Sequence, residues 1–157
     1  MLAMTKVYLS LGSNLGDRAE FLARAEELLA ERVGEIVAQS SIYETEPVDM
    51  KKGDPWFLNQ VLEVQTDLEP QELLAACEQV ERELGREGKG RYESRVIDID
   101  ILVYGDLEIN EPNLVVPHPR MMQRRFVLEP MAEIAPEFGS HLKACADSAN
   151  VRLYEHP

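Results

Sequence analysis

Residues 95–104 read Arg-Val-Ile-Asp-Ile-Asp-Ile-Leu-Val-Tyr. The alternation of β-branched residues with aspartates is typical of a β-strand that buries one face. Successive strand side chains point to opposite faces, so Asp98 and Asp100 share a face, roughly 6.6 Å apart along the strand. The isoleucines around them point the other way, into a core.

Two neighbouring carboxylates repel each other unless positive charge lies close to them. A divalent cation such as Mg²⁺ would supply that charge, since it prefers oxygen ligands and commonly binds together with phosphates. Arginines beside an ordinary solvated strand face would also supply it. Asp98 and Asp100 alone leave both interpretations open.

The other secondary-structure elements follow from hydrophobic periodicity. It predicts strands over 6–11, 36–45 and 58–66, and helices over 22–33 and 70–84 that end at Gly34 and Gly85. With the aspartate strand last, the order is βαββαβ, the ferredoxin-like arrangement of an antiparallel sheet with both helices on one face. The sequence therefore predicts an α+β fold.

The length of 157 residues fits one domain, so we expect a single domain over 1–157. A short helix is predicted around 127–134. Residues 138–157 show weak periodicity and are predicted to be a variable C-terminal tail, helical or poorly ordered.

Composition excludes several classes of protein. A net charge of −13 argues against a nucleic-acid-binding protein, which needs a basic surface. No run approaches the ~18 apolar residues of a membrane span, and no signal peptide is recognisable, so we expect no membrane association and a cytoplasmic location. Cys77 and Cys145 lack metal-ligand spacing, and Cys77 falls on an apolar helix face as a buried thiol.

Basic residues gather around the paired aspartates. The segment 86–125 contains seven of the sixteen lysines and arginines and seven acidic residues, so the whole net charge comes from elsewhere in the chain. Such a local balance suits a ligand that carries both phosphate and metal. His118, close to Arg124, is a candidate for phosphate contact by hydrogen bonding.

Other segments are less specific. The turn at 12–16 is neither a dinucleotide fingerprint nor a P-loop. Phe57 and Phe126 could sandwich a planar heterocycle whose edge Asn59 would bind, although composition alone favours core packing for both rings. Glu81 is either solvated or directed toward the basic loop at 86–94. The polar connection at 46–56 has a length typical of functional loops.

Several short motifs, in order along the chain, resemble those of the 6-hydroxymethyl-7,8-dihydropterin pyrophosphokinase family. They are Gly12-Ser13-Asn14-Leu15, Ser40-Ser41-Ile42-Tyr43-Glu44-Thr45, Phe57-Leu58-Asn59, Leu84-Gly85-Arg86, Arg95 to Leu102, Val116-Pro117-His118-Pro119-Arg120-Met121 and Arg124 to Pro130.

The resemblance implies a ferredoxin-like fold and Mg²⁺-dependent transfer of pyrophosphate from ATP to the hydroxymethyl group of the pterin, which leaves AMP. It implies that Asp98 and Asp100 hold two magnesium ions and are catalytic together with Arg86 and Arg95. The implied pterin-binding residues are Thr45, Glu46, Val48, Phe57, Asn59 and Phe126. The implied ATP-binding residues are Arg86, Lys89, Arg91, Tyr92, Arg95, His118 and Arg124.

The segment before the aspartate strand departs from the family pattern. Many relatives have Arg-Trp-Gly-Pro-Arg where this chain has Arg91-Tyr92-Glu93-Ser94-Arg95. This change leaves open a non-catalytic nucleotide- or pterin-binding module of the same fold. A metal-dependent nucleotidyl transferase acting on another alcohol is a third interpretation. The sequence does not distinguish a monomer from a weak dimer.

Overall fold

The computed structural model describes residues 4–46, 55–85, 96–147 and 150–154. In these ranges the elements are β1 (Thr5–Ser13), α1 (Arg18–Arg32), β2 (Gly34–Gln39), β3 (Tyr43–Thr45), β4 (Phe57–Thr66), α2 (Pro70–Glu83), β5 (Asp98–Tyr104), β6 (Ile109–Glu111), β7 (Leu114–Val116), α3 (Arg125–Ile134), α4 (Gly139–Ala144) and β8 (Val151–Leu153).

The main sheet has the strand order β5-β1-β4-β3-β8, and β2 pairs with the other end of β4. All of its pairings are antiparallel. The predicted α+β, ferredoxin-like architecture is confirmed, with β1 and β4 at its centre and β5 at one edge.

The main core lies between the sheet and helices α1 and α2. Asp17 caps α1 by accepting a hydrogen bond from the Glu20 N–H at 3.2 Å, and α1 then buries Leu22, Ala25 and Leu29 at helical spacing. Helix α2 begins with Pro70 at its first turn and buries Leu73, Cys77 and Val80. These side chains pack on Val7, Leu9, Leu11, Leu62 and Ile99 of the sheet.

A smaller core covers part of the opposite sheet face. Helix α3 contributes Val127 and Met131, which pack on Tyr8, Val61 and Leu102. The sheet therefore has two helices on one face, as predicted, and α3 on the other. The rest of that second face stays uncovered by helices in the described part of the chain, and it contains the candidate site.

Three predicted segments differ in the structure. The strand expected over 36–45 is split into β2 and β3, because Ser40 breaks it: its Oγ accepts a hydrogen bond from the Val61 N–H at 2.9 Å and donates to the Ser41 carbonyl at 2.8 Å. The segment after Asp106 forms a hairpin of β6 and β7. The tail contains α4 and a strand, β8, which joins the main sheet beside β3.

Candidate active site

Asp98 and Asp100 occupy the sheet face opposite helices α1 and α2. In the β1–β5 pairing, Asp98 lies opposite Gly12 and Asp100 opposite Ser10. Both aspartates are half-buried, whereas Ile99 between them is buried against the helices. The alternation of faces predicted from the sequence is therefore present.

A cavity of about 230 Å³ opens over this face. Nine of the residues proposed from the sequence line it, although they come from five separate segments of the chain. They are Thr45, Glu46, Phe57, Asn59, Asp98, Asp100, His118, Arg124 and Phe126. The fold thus brings the described members of both predicted residue sets to one place, and their individual roles stay predictions.

The remaining predicted site residues lie outside the described residues. They are Val48, Arg86, Lys89, Arg91, Tyr92 and Arg95.

Asn59 and Thr45 form the most buried polar contact of the cavity wall. The Asn59 Nδ2 donates to the Thr45 Oγ1 at 2.8 Å, and the two residues are 4% and 2% exposed. Gly12 lies directly opposite Asn59 in the β1–β4 pairing. A Cβ at Gly12 would lie 3.0 Å from the Asn59 Oδ1, so a side chain there would crowd the amide. The amide is therefore fixed at the cavity wall.

His118 is held at the edge of β5. Its backbone N–H donates to the Leu102 carbonyl at 2.8 Å, and its Nδ1 accepts from the Arg120 N–H at 3.2 Å. With Nδ1 as an acceptor, a neutral imidazole carries its proton on Nε2. His118 is thus suited to donate a hydrogen bond to an anionic oxygen, and its contact with phosphate stays a prediction.

The outer edge of β5 is contacted by Glu81. This residue of α2 is 3% exposed, and its Oε2 accepts a hydrogen bond from the Ile99 N–H at 2.7 Å. The outer edge of β5 pairs with no strand in the described part of the chain. Glu81 therefore satisfies a backbone donor between the two aspartates and fixes the strand that carries them.

A second cavity, of about 190 Å³, adjoins the first and shares Asp100 and His118 with it. Its lining also includes Leu74 of α2 and Leu114 and Val115 of β7, together with the polar residues Glu78 and Asn113. The site therefore has two compartments that meet at a carboxylate and an imidazole. The hairpin that forms one wall was not predicted, although Pro112-Asn113 between two apolar runs is a recognisable turn signal.

Sequence reasoning also missed Ser10, Gly12, Arg120 and Leu102, which line the first cavity. Ser10 and Gly12 face the aspartates only because β1 pairs with β5, a long-range contact without a local signal. Arg120 belongs to the basic cluster recognised in the sequence, and the nearby candidate His118 could have indicated it as a site residue.

The chemistry of the donor set fits a hard divalent cation. Two carboxylates on one strand face supply oxygen ligands, and Mg²⁺ commonly completes its shell with water and substrate phosphates. No group of three or more metal-ligating side chains occurs among the described residues, so phosphate or water ligands would be needed.

A family model described as 7,8-dihydro-6-hydroxymethylpterin-pyrophosphokinase (HPPK) matches residues 8–136. The 2-amino-4-hydroxy-6-hydroxymethyldihydropteridine pyrophosphokinase of Porphyromonas gingivalis is 47% identical over 137 residues, which cover 85% of this chain and 92% of the relative. This chain belongs to the HPPK family. The corresponding enzyme of Bacillus subtilis is 41% identical over 150 residues and covers 94% of this chain and 89% of its own length.

Solved structures agree with the fold. A structure of HPPK-DHPS in complex with substrates superposes with a TM-score of 0.72 at 15% identity, over 90% of this chain and 43% of the other. Wild-type Plasmodium falciparum HPPK-DHPS with SDX-DHP gives a TM-score of 0.68 at 17% identity, over 89% and 43%. The chain thus spans less than half of those solved chains, and this likeness concerns the fold alone.

Membership of the HPPK family identifies the chain as a pyrophosphokinase of folate biosynthesis, an enzyme with ATP as co-substrate. The non-catalytic alternative is not favoured. No helix in the described ranges is both long and apolar enough to cross a membrane.

Proposed function

We propose that the two adjoining cavities hold the two substrates of the HPPK reaction. We also propose that Asp98 and Asp100 bind Mg²⁺ where the two cavities meet. The observation that carries this proposal is that Asp100 and His118 line both cavities. A group transfer between two bound molecules requires their reacting atoms to meet at about 3–3.5 Å, so adjoining compartments with a shared wall suit it.

The first cavity suits the pterin. Phe57 and Phe126 are half-buried and offer ring surface to a flat heterocycle, and the fixed Asn59 amide offers a donor and an acceptor to its edge. Glu46 and Thr45 complete this wall. Buried groups that form hydrogen bonds with the polar edge of a ligand select strongly for that ligand, because a different ligand leaves those groups without partners.

The second cavity suits the nucleoside end of ATP. Leu74, Leu114 and Val115 provide apolar surface for a base, His118 lies where the compartments meet, and Arg124 lines the first of them. ATP placed there directs its phosphates toward Asp100. Arg86, Lys89, Arg91, Tyr92 and Arg95, which lie outside the described residues, are proposed as further ATP contacts, and Val48 as a pterin contact.

In the reaction the pterin hydroxymethyl oxygen forms a bond to the β-phosphorus of ATP. The bond between that phosphorus and the oxygen bridging to the α-phosphorus breaks, AMP leaves with that oxygen, and the hydroxyl proton passes to a phosphate oxygen or to solvent. Bound magnesium would neutralise charge on the phosphate oxygens. His118 and Arg124 donate hydrogen bonds to those oxygens, and the aromatic walls orient the attacking hydroxyl. Positioning and charge stabilisation account for most catalysis of this kind, so a strong base is not required.

The test is AMP formation from ATP in the presence of 6-hydroxymethyl-7,8-dihydropterin, measured with and without Mg²⁺. We expect AMP to require both the pterin and the metal. Asp98→Asn and Asp100→Asn should each lower kcat at least about a hundredfold, with little change in melting temperature. Asp106→Asn, an exposed acidic residue just after β5, is the matched control and should keep normal activity.

Near-normal turnover in either aspartate variant would show that the metal assignment is wrong. AMP formation that ignores the pterin and follows another alcohol would overturn the substrate assignment. A cytoplasmic location, the number of two metal ions and a monomer or weak dimer stay predictions.

A further inference from the structure

The C-terminal strand β8 lies beside the strand that delivers Thr45 to the first cavity. It pairs with β3 in the register Tyr43↔Leu153, Glu44↔Arg152 and Thr45↔Val151. The Glu46 N–H extends this pairing by donating to the Asn150 carbonyl at 3.0 Å. On its other edge β3 pairs with Phe57–Asn59 of β4. Strand β3 therefore reaches the cavity with both of its edges paired.

Glu44 alternates with Thr45 in β3, and its carboxylate lies between two arginines. The Glu44 Oε1 accepts hydrogen bonds from the Arg152 Nη2 at 2.6 Å and Nε at 3.0 Å, and the Oε2 accepts one from the Arg18 Nη1 at 2.8 Å. Burial alone would raise the pKa of Glu44, but the hydrogen bonds from Arg152 and Arg18 hold it below its ordinary value. Glu44 is therefore ionised and fixed in position at neutral pH.

The same two arginines hold Trp56, the residue before Phe57. The Arg18 Nη1 donates to the Trp56 carbonyl at 2.8 Å, and the Arg152 guanidinium carbon lies 4.6 Å from the centre of the Trp56 ring. A guanidinium at this distance from an indole makes a cation–π contact. Arg152 thus contacts the neighbours of two cavity residues, Thr45 and Phe57, at the same time.

We propose that Arg152 is a positioning residue for the pterin compartment. By binding Glu44 and stacking on Trp56, it holds together the ends of β3 and β4 at which Thr45 pairs with Phe57, and both of these residues line the cavity. The Arg152 side chain is 65% exposed, so its ion pair adds little to global stability. Its effect is instead expected in ligand affinity. This inference rests on the assignment of the pterin to the first cavity.

The experiment uses Arg152→Ala, with Arg32→Ala as the matched control. Arg32 of α1 also forms an ion pair, with Glu83 of α2, but neither residue lines a cavity described above. Pterin affinity is measured by titration with 6-hydroxymethylpterin at a saturating concentration of a non-hydrolysable ATP analogue. ATP-analogue affinity, melting temperature and the emission spectrum of Trp56, the only tryptophan in the chain, are measured in parallel.

We expect Arg152→Ala to weaken pterin binding about tenfold, because misplaced walls lose several contacts together. ATP-analogue affinity should change less than about twofold by the same argument, and the melting temperature should match that of Arg32→Ala. The Trp56 emission should shift. Arg152→Lys should restore part of the pterin affinity, because it keeps the charge near Glu44 but not the planar stack on Trp56.

Unchanged pterin affinity in Arg152→Ala, with normal pterin binding by the unaltered protein, would overturn this inference alone. Equal losses for pterin and ATP analogue, with a lowered melting temperature, would also overturn it, because they indicate a purely structural role. Failure of the unaltered protein to bind the pterin at all would overturn the proposed function instead.

Discussion

Asn59 owes its fixed orientation to a hydrogen-bond partner on one strand and to a missing side chain on another. Thr45 occupies one of its amide protons, and Gly12 leaves room for its carbonyl oxygen. The remaining hydrogen-bonding capacity of the amide is available to a ligand in the cavity. Its role in recognising the pterin edge is therefore testable through Thr45, the hydrogen-bond partner that orients it.

Thr45→Val should weaken pterin binding by about tenfold, since a buried hydrogen bond is lost and an amide proton loses its partner, at about 1–3 kcal/mol. Isothermal titration with 6-hydroxymethylpterin measures the effect. Thr66→Val is the matched control: the buried Thr66 Oγ1 donates to the Val33 carbonyl at 2.7 Å, on the helical side of the sheet. That variant should lose stability and keep its affinity. If Thr45→Val and Thr66→Val lost the same amount of pterin affinity, the prediction would be contradicted.

At this scale the sequence identifies some site residues by physics and others only by resemblance. The alternation around Asp98 and Asp100 was enough to place both carboxylates on one face. Phe57 and Phe126 could not be separated from core residues by composition, and the resemblance supplied their assignment. Ser10 could not be found because its proximity to Asp100 depends on strand pairing, which no local pattern specifies.

At the scale of elements, helix α3 is attached to the β2–β3 segment through Glu133. The Glu133 Oε1 accepts hydrogen bonds from the Ser41 N–H at 2.7 Å and Oγ at 2.9 Å, and its Oε2 accepts one from the Tyr43 hydroxyl at 2.6 Å. Burial alone would raise the pKa of Glu133, but these hydrogen bonds hold it below its ordinary value. Burial, followed by the hydrogen bond to Glu133, raises the pKa of Tyr43.

Glu133→Gln should therefore lower the melting temperature at pH 7 by about 2–4 °C, which corresponds to the loss of about 1 kcal/mol in a protein of this size. Because the pKa of Glu133 is lower in the folded chain, its ionised form contributes stability above the ordinary glutamate pKa of about 4.3. That contribution disappears as the pH falls through the lower folded value. Calorimetry between pH 7 and pH 3 should show that the melting temperatures of Glu133→Gln and of the unaltered protein converge as the pH falls.

The exposed Glu31 of α1 provides the control for this series. The melting temperature of Glu31→Gln should equal that of the unaltered protein at every pH in the series. A constant difference between Glu133→Gln and the unaltered protein down to pH 3 would show that the lost stability does not come from the ionised carboxylate.

Long elements were predictable and short ones were not. Helices α1 and α2 have caps, a terminal glycine and a continuous apolar face, so their existence follows from local sequence. Strand β8 has only three residues, and its conformation depends on hydrogen bonds with β3. Even the sharp boundary at Gly34 has a tertiary cause, because a Cβ there would collide with the Gln65 carbonyl of β4.

At the scale of the whole molecule, the sheet separates the main core from the first cavity, whereas Ile99, Ile101 and Leu114 of the second cavity belong to that core. Leu29 of α1 is fully buried among the residues between sheet and helices. Leu29→Ala should cost about 2–5 kcal/mol and lower the melting temperature by roughly 4–20 °C. Pterin affinity at 20 °C should stay unchanged, because none of the residues that line the first cavity belongs to that core. Calorimetry and titration of the same preparation measure both.

Val127→Ala provides the opposite case. Val127 belongs to the small core under α3 and also lines the first cavity. Its truncation should reduce pterin affinity along with stability. If Leu29→Ala weakened ligand binding as much as Val127→Ala did, the two sides of the sheet would not be independent.

This separation bears on how the protein can change over evolutionary time. Residues beneath α1, which line neither cavity, can adjust to a hotter or colder habitat while the pterin compartment is preserved. Conversely, an inhibitor that binds in the first cavity contacts side chains outside the main core. Substitutions of these side chains can give resistance to the inhibitor without disturbing that core.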